Sequence, residues 1–137
     1  MPVKRISPDE ARELIDKDGY LYLDVRSVPE FEAGHPTGAF NVPLMHMGPG
    51  GMSPNPDFMA VVQKSFPADA KLVLGCKAGG RSLKAAEMLQ AAGFTKIVDQ
   101  RAGFEGNPAE PGWRPRGLPT SADARPGHAY DSLRTKA

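Results

Sequence analysis

Cys76 is the only cysteine in the 137-residue chain, and Lys77, Ala78, Gly79, Gly80, Arg81 and Ser82 follow it directly. A thiol beside two cations and two glycines has the setting of an activated nucleophile, because thiolate is the reactive form and positive surroundings favour it. The glycines allow backbone angles at which the N–H groups of residues 77–82 turn inward as an anion-binding nest. Each hydrogen bond to a charged acceptor is worth ~1.5–3 kcal/mol. Two such donors therefore supply the roughly 2.7 kcal/mol that favours a thiolate over its thiol by two pH units. The plain alternative is a small apolar filler beside a buried strand, but a filler has no use for a cationic glycine loop. Nucleophilic sulfur chemistry is the expected role.

The count of one excludes an internal disulfide and a cysteine-built metal cluster, so a second thiol must come from another molecule. His35, His46 and His128 are far apart and show no metal-ligand spacing. No metal and no cofactor is expected. A net charge of +1 exerts no overall pull toward nucleic acid. No apolar run approaches the roughly 20 residues that span a bilayer. Residues 1–8, Met-Pro-Val-Lys-Arg-Ile-Ser-Pro, lack the apolar stretch of an export signal, so a cytoplasmic location is expected.

The elements that must position the cysteine follow from periodicity. Lys71–Gly75 reads as a buried strand ending at Cys76, and Ser82–Ala92 as a helix with Ala85, Ala86, Leu89 and Ala92 on one face and Gly93 after its end. The cysteine thus lies at the carboxyl edge of a strand, against a helix amino end, where open α/β sheets bind ligands. Upstream, Ser7-Pro8-Asp9-Glu10 signals a capped helix ending near Gly19. Tyr20–Val25 reads as a strand, Arg26–Phe31 as a turn into a short helix closed by Gly34, and Gly38–Leu44 as a second strand. Residues 45–56, rich in Met, Gly and Pro, read as an irregular loop, Asp57–Phe66 as a helix, and Lys96–Asp99 as a strand. Strands alternating with helices predict an α/β domain with a mostly parallel central sheet flanked by helices. The expected domain spans residues 1–119. Residues 120–137 form a basic tail that wraps the domain or is partly disordered.

Cys76-Lys77-Ala78-Gly79-Gly80-Arg81-Ser82 resembles the active-site loop of the rhodanese family, Cys-x-x-Gly-x-Arg followed by Ser or Thr. Two further stretches resemble that family in the same order. One runs from Leu23-Asp24-Val25-Arg26 through Glu30-Phe31 and Gly34-His35 to Gly38-Ala39, Asn41 and Pro43. The other is Ala102-Gly103-Phe104-Glu105-Gly106, Trp113 and Gly117-Leu118-Pro119. The likeness covers residues 5–119. Pro36 and Thr37 depart from the usual Ile and Pro, and Asn107–Gly112 replaces a more regular turn. The resemblance implies a single rhodanese-like domain that moves a sulfane sulfur through a Cys76 persulfide. The donor is a small anion, thiosulfate foremost, and the acceptor is cyanide or a thiol, including a protein thiol. It assigns Lys77–Ser82 to the anion loop, with Lys77 and Arg81 drawing in the donor.

Asp24 and Arg26 either touch substrate or, as charges near a strand end, form a supporting ion pair. His35, in a Gly-His turn, suits a loop-stapling hydrogen bond better than acid–base work. Met45, Met47 and Met52 line an acceptor cleft or simply cover the core, and Trp113 packs. Two rivals remain. One is a persulfide carrier or interaction module that does not turn over. The other is a cysteine phosphatase or arsenate reductase, whose Cys-x5-Arg loop is one residue longer than the four residues between Cys76 and Arg81.

Overall fold

The computed structural model describes residues 2–136. In chain order it contains β1 (Lys4–Ile6), α1 (Pro8–Lys17), β2 (Leu21–Asp24), α2 (Val28–Ala33), β3 (His35–Pro36), β4 (Phe40–Asn41), β5 (Met45–Gly48), β6 (Gly51–Pro54), α3 (Phe58–Ser65) and β7 (Leu72–Gly75). There follow α4 (Gly80–Ala91), β8 (Ile97–Gln100), β9 (Gly106–Asn107), β10 (Glu110–Pro111), β11 (Thr120–Ser121) and α5 (Tyr130–Lys136). Five strands form the central sheet in the order β1-β8-β7-β2-β4, and every neighbouring pair is parallel.

Strand side chains alternate between faces, and here they feed two cores. Leu23, Leu72, Leu74 and Ile97 face a cluster with Phe58, Val62, Ala85, Ala86 and Leu89, from α3 and α4. Tyr22, Val73 and Val98 face the other way, onto Ile6, Ala11, Phe31, Phe104 and Trp113. A parallel sheet covered on both faces has apolar strands throughout, which is why β7 is buried at all four positions.

The helix ends behave as their residues dictate. The Ser7 hydroxyl accepts from Glu10 N–H at 3.1 Å while the Glu10 carboxylate accepts from Ser7 N–H at 2.9 Å. At the end of α4, Gly93 has φ +103°. Its N–H donates to the Gln90 carbonyl, and Phe94 N–H donates to that of Leu89, the paired bonds of a Schellman cap.

Two segments differ from the sequence expectation, and the tail takes the first of its two expected forms. Residues 45–54 are not irregular: β5 and β6 pair antiparallel from Met45↔Pro54 to Gly48↔Gly51. The hairpin is largely exposed, so it carries little of the burial pattern that reveals a strand. β1 was not anticipated and adds an edge to the sheet beside β8. The tail is an ordered strap as far as residue 136. β11 pairs antiparallel with β3, Asn41 N–H donates to the His128 carbonyl, and α5 places Tyr130 and Leu133 in the core beside α3. The core therefore extends beyond residue 119. Among the described residues no helix is long and apolar enough to cross a membrane.

Candidate active site

Cys76 follows β7 directly and is only 2% exposed. The chain then turns through Lys77–Gly79 into α4, and Gly79 N–H donates to Cys76 Sγ at 3.1 Å. Gly79 has φ +111°, and a Cβ there would stand 2.2 Å from the Arg101 carbonyl oxygen. Only glycine fits that position. The first intrahelical bond of α4 runs from Leu83 N–H to the Gly79 carbonyl. The N–H groups of Gly80, Arg81 and Ser82 lie ahead of it, in the turn that has no intrahelical acceptor.

The loop carbonyls are held from outside. Phe104 N–H donates to the Cys76 carbonyl at 2.7 Å, and Glu105 N–H donates to that of Lys77 at 3.0 Å. The Gly79 carbonyl accepts from the Arg5 guanidinium at 3.1 Å and from the Ser82 hydroxyl at 3.3 Å. In a trans peptide the N–H points opposite to the C=O. Anchoring these carbonyls therefore turns the N–H groups of Lys77, Ala78 and Gly80 to the other side. The clasp approaches so closely that a Cβ on Gly103 would lie 2.4 Å from the Lys77 carbonyl group.

Arg81 does not face the site as an unpaired cation. It forms a fork with Glu30 of α2, Nη1 to Oε1 at 2.7 Å and Nη2 to Oε2 at 3.0 Å. The Ser27 hydroxyl donates to the same carboxylate at 2.8 Å. Burial pushes the Glu30 carboxyl up, but the hydrogen bonds from Arg81 and Ser27 outweigh it and hold its pKa at about 2. Lys77 is exposed. It lines a cleft of about 550 Å³ with Arg26, Glu30, Phe104, Glu105 and Arg114, and Arg114 is itself paired with Glu105.

Asp24 lies level with Gly75 across β2 and β7. Asp24 and Arg26 form a buried fork whose shortest contact is 2.7 Å, and Arg26 also donates to the Gly34 carbonyl at 2.6 Å. The Arg26 guanidinium lies 4.4 Å over the Phe104 ring, which ties this pair to the residue clasping Cys76. His35 stands apart from the cleft. Its ring stacks on Phe31 and contacts the carbonyls of Phe31 at 2.7 Å and Asp123 at 3.3 Å, joining α2 to the tail. Met52 Sδ lies 3.6 Å from Arg81 Nη1. Trp113 is buried and donates to the Pro119 carbonyl at 2.7 Å. The fold thus gathers Cys76, residues 77–82, Asp24 and Arg26 at one edge of the sheet.

Sequence reasoning missed the roles of Glu30 and Arg5, and it marked the stretch around Phe104 and Glu105 without its contact to the Cys76 loop. The Ser27-x-x-Glu30 spacing was a visible signal, but it announces a helix cap and not a partner for Arg81. Arg5 has no local signature, and the 102–106 motif does not say which carbonyls it clasps.

Comparison with known proteins bears on the family and the fold. The rhodanese-like domain family matches residues 7–107. "Thiosulfate sulfurtransferase 16, chloroplastic" of Arabidopsis thaliana is 45% identical over 104 residues, covering 76% of this chain and 82% of that protein. "Rhodanese-like domain-containing protein 15, chloroplastic" of the same plant is 45% identical over 94 residues, 69% of this chain and 51% of that protein. The crystal structure of Rv0390 from M. tuberculosis superposes with a TM-score of 0.75 at 28% identity, over 90% of this chain and all of that one. The matched span contains the whole central sheet except β1, and the entire Cys76 loop with its clasp, so the chain belongs to the rhodanese-like domain family.

Proposed function

We propose that the protein is a sulfurtransferase that works through a Cys76 persulfide, with thiosulfate or a similar small anion as donor. The observation that carries this reading is the hydrogen bond from Gly79 N–H to Cys76 Sγ, within a loop whose carbonyls are tied outward. Such a loop stabilises a thiolate, and then the terminal sulfur of a persulfide anion, by preorganised N–H donors. The Cys76 thiolate attacks the outer sulfur of thiosulfate. A new S–S bond forms, the old one breaks, and sulfite leaves with the electron pair. Cyanide or a thiolate then attacks the outer persulfide sulfur, and Cys76 leaves as thiolate, ready for the next cycle.

With Arg81 neutralised by Glu30, Lys77 and the helix amino end supply the attraction for the donor anion. The 2% exposure of Cys76 favours a slender reactive sulfur over a bulky tetrahedral phosphate, and the short Cys-to-Arg spacing points the same way. A cytoplasmic setting, where thiol acceptors are abundant, belongs to this reading.

Steady-state thiocyanate formation with thiosulfate and cyanide both varied tests it. Double displacement gives parallel double-reciprocal lines, and Cys76→Ser abolishes the rate while leaving the fold intact. Converging lines, or activity retained in the serine variant, contradict the persulfide route. A protein that loads sulfur but does not turn over is the carrier.

A further inference from the structure

The hairpin of β9 and β10 is the segment where the chain departs from the usual family ending, and it touches the cysteine loop at a point the clasp leaves open. Between the Lys77 and Gly79 carbonyls lies that of Ala78. The Asn107 side-chain amide donates to it at 3.0 Å and also to the Arg101 carbonyl at 3.3 Å. The other end of the same side chain accepts from the N–H groups of Ala109 at 2.9 Å and Glu110 at 3.2 Å. Two carbonyls on one side and two N–H groups on the other leave a single orientation for the amide.

The Ala78 carbonyl and the Gly79 N–H are the two ends of one peptide unit, and that N–H is the donor to Cys76 Sγ. A planar trans peptide fixes the two ends opposite each other. Holding the carbonyl therefore holds the N–H on the sulfur, and hydrogen bonding to the carbonyl polarises the unit and strengthens its donor. We infer that Asn107 is a positioning residue for Cys76, acting through the 78–79 peptide to stabilise the thiolate. The inference rests on Cys76 being the nucleophile. The side chain divides its work: its oxygen shapes the hairpin turn, and its nitrogen sets the sulfur's donor.

The test is the rate of Cys76 alkylation by iodoacetamide as a function of pH, which needs no sulfur donor. Asn107→Ser keeps an oxygen for the turn but falls short of Ala78. Asn107→Asp keeps the turn oxygens, loses the donor, and is compared at high salt, where its added charge is screened. In both, the alkylation midpoint should move up by about 0.3–0.6 pH unit, with a rate near neutrality about two- to fourfold lower. Lower thermal stability with the wild-type midpoint means that Asn107 only shapes the hairpin, and overturns the inference. The two readings fail separately. A wild-type protein that gains no sulfur from any sulfane donor and makes no thiocyanate, yet shows the shift on substitution, refutes sulfur transfer and keeps Asn107; an unshifted midpoint in an active protein does the reverse.

Discussion

Arg81 and Glu30 grip each other as a fork, and this changes what the charge at the end of the cysteine loop does. The guanidinium pins α2 against the start of α4 and is already matched when an anion arrives. Glu30 has an ordinary pKa near 4.5 and a native value of about 2. The unfolded chain therefore takes up its proton first as pH falls. The pair's stabilisation is complete above about pH 4.5 and is lost progressively down to about pH 2. Urea midpoints measured through that window should fall more steeply for the wild type than for Glu30→Gln; equal slopes would remove Glu30 from the acid response. At this scale legibility follows contiguity. Cys76, Gly79 and Arg81 stand within six residues and announce the loop. Arg5, Glu30 and Asn107 act on it from 74, 51 and 29 residues away, and no local pattern reveals such pairings.

At the scale of elements, α4 and β7 were legible because each carries a full signal: helical spacing with a glycine stop, or an unbroken apolar run. The 45–54 hairpin was not, because its two strands face solvent and its glycines dilute the alternation. The tail was legible as a basic segment that either wraps the domain or is partly disordered, with no sign of which side chains would anchor it. Its contribution comes from Tyr130 and Leu133, two side chains that complete a core built by α3 and β4 far earlier in the chain. Leu133 is 3% exposed, so Leu133→Ala should cost about 2–5 kcal/mol in denaturant unfolding. A cost within the roughly 0.5 kcal/mol of a surface substitution would show that α5 merely rests on the domain. The strap also covers β4, a sheet edge that would otherwise present unpaired backbone groups.

Across the whole molecule, the parallel sheet was legible from strands alternating with helices, and the two opposed cores follow from the side-chain alternation of β2, β7 and β8. All five parallel strands of the central sheet deliver their carboxyl ends to one edge. Asp24, Arg26 and Cys76 meet there, although the stretch between Arg26 and Cys76 builds α2, the hairpin and α3. A net charge of +1 exerts little long-range pull, so in the proposed mechanism the attraction for the donor comes from the fixed N–H donors and Lys77 at this edge. Every step of the proposed transfer depends on Cys76 carrying sulfur. The decisive experiment is the intact mass of the protein after incubation with thiosulfate, before and after cyanide. A gain of one sulfur atom on Cys76 that cyanide removes is the expected result; an unchanged mass with thiosulfate and with every other sulfane donor tried would rule the persulfide out.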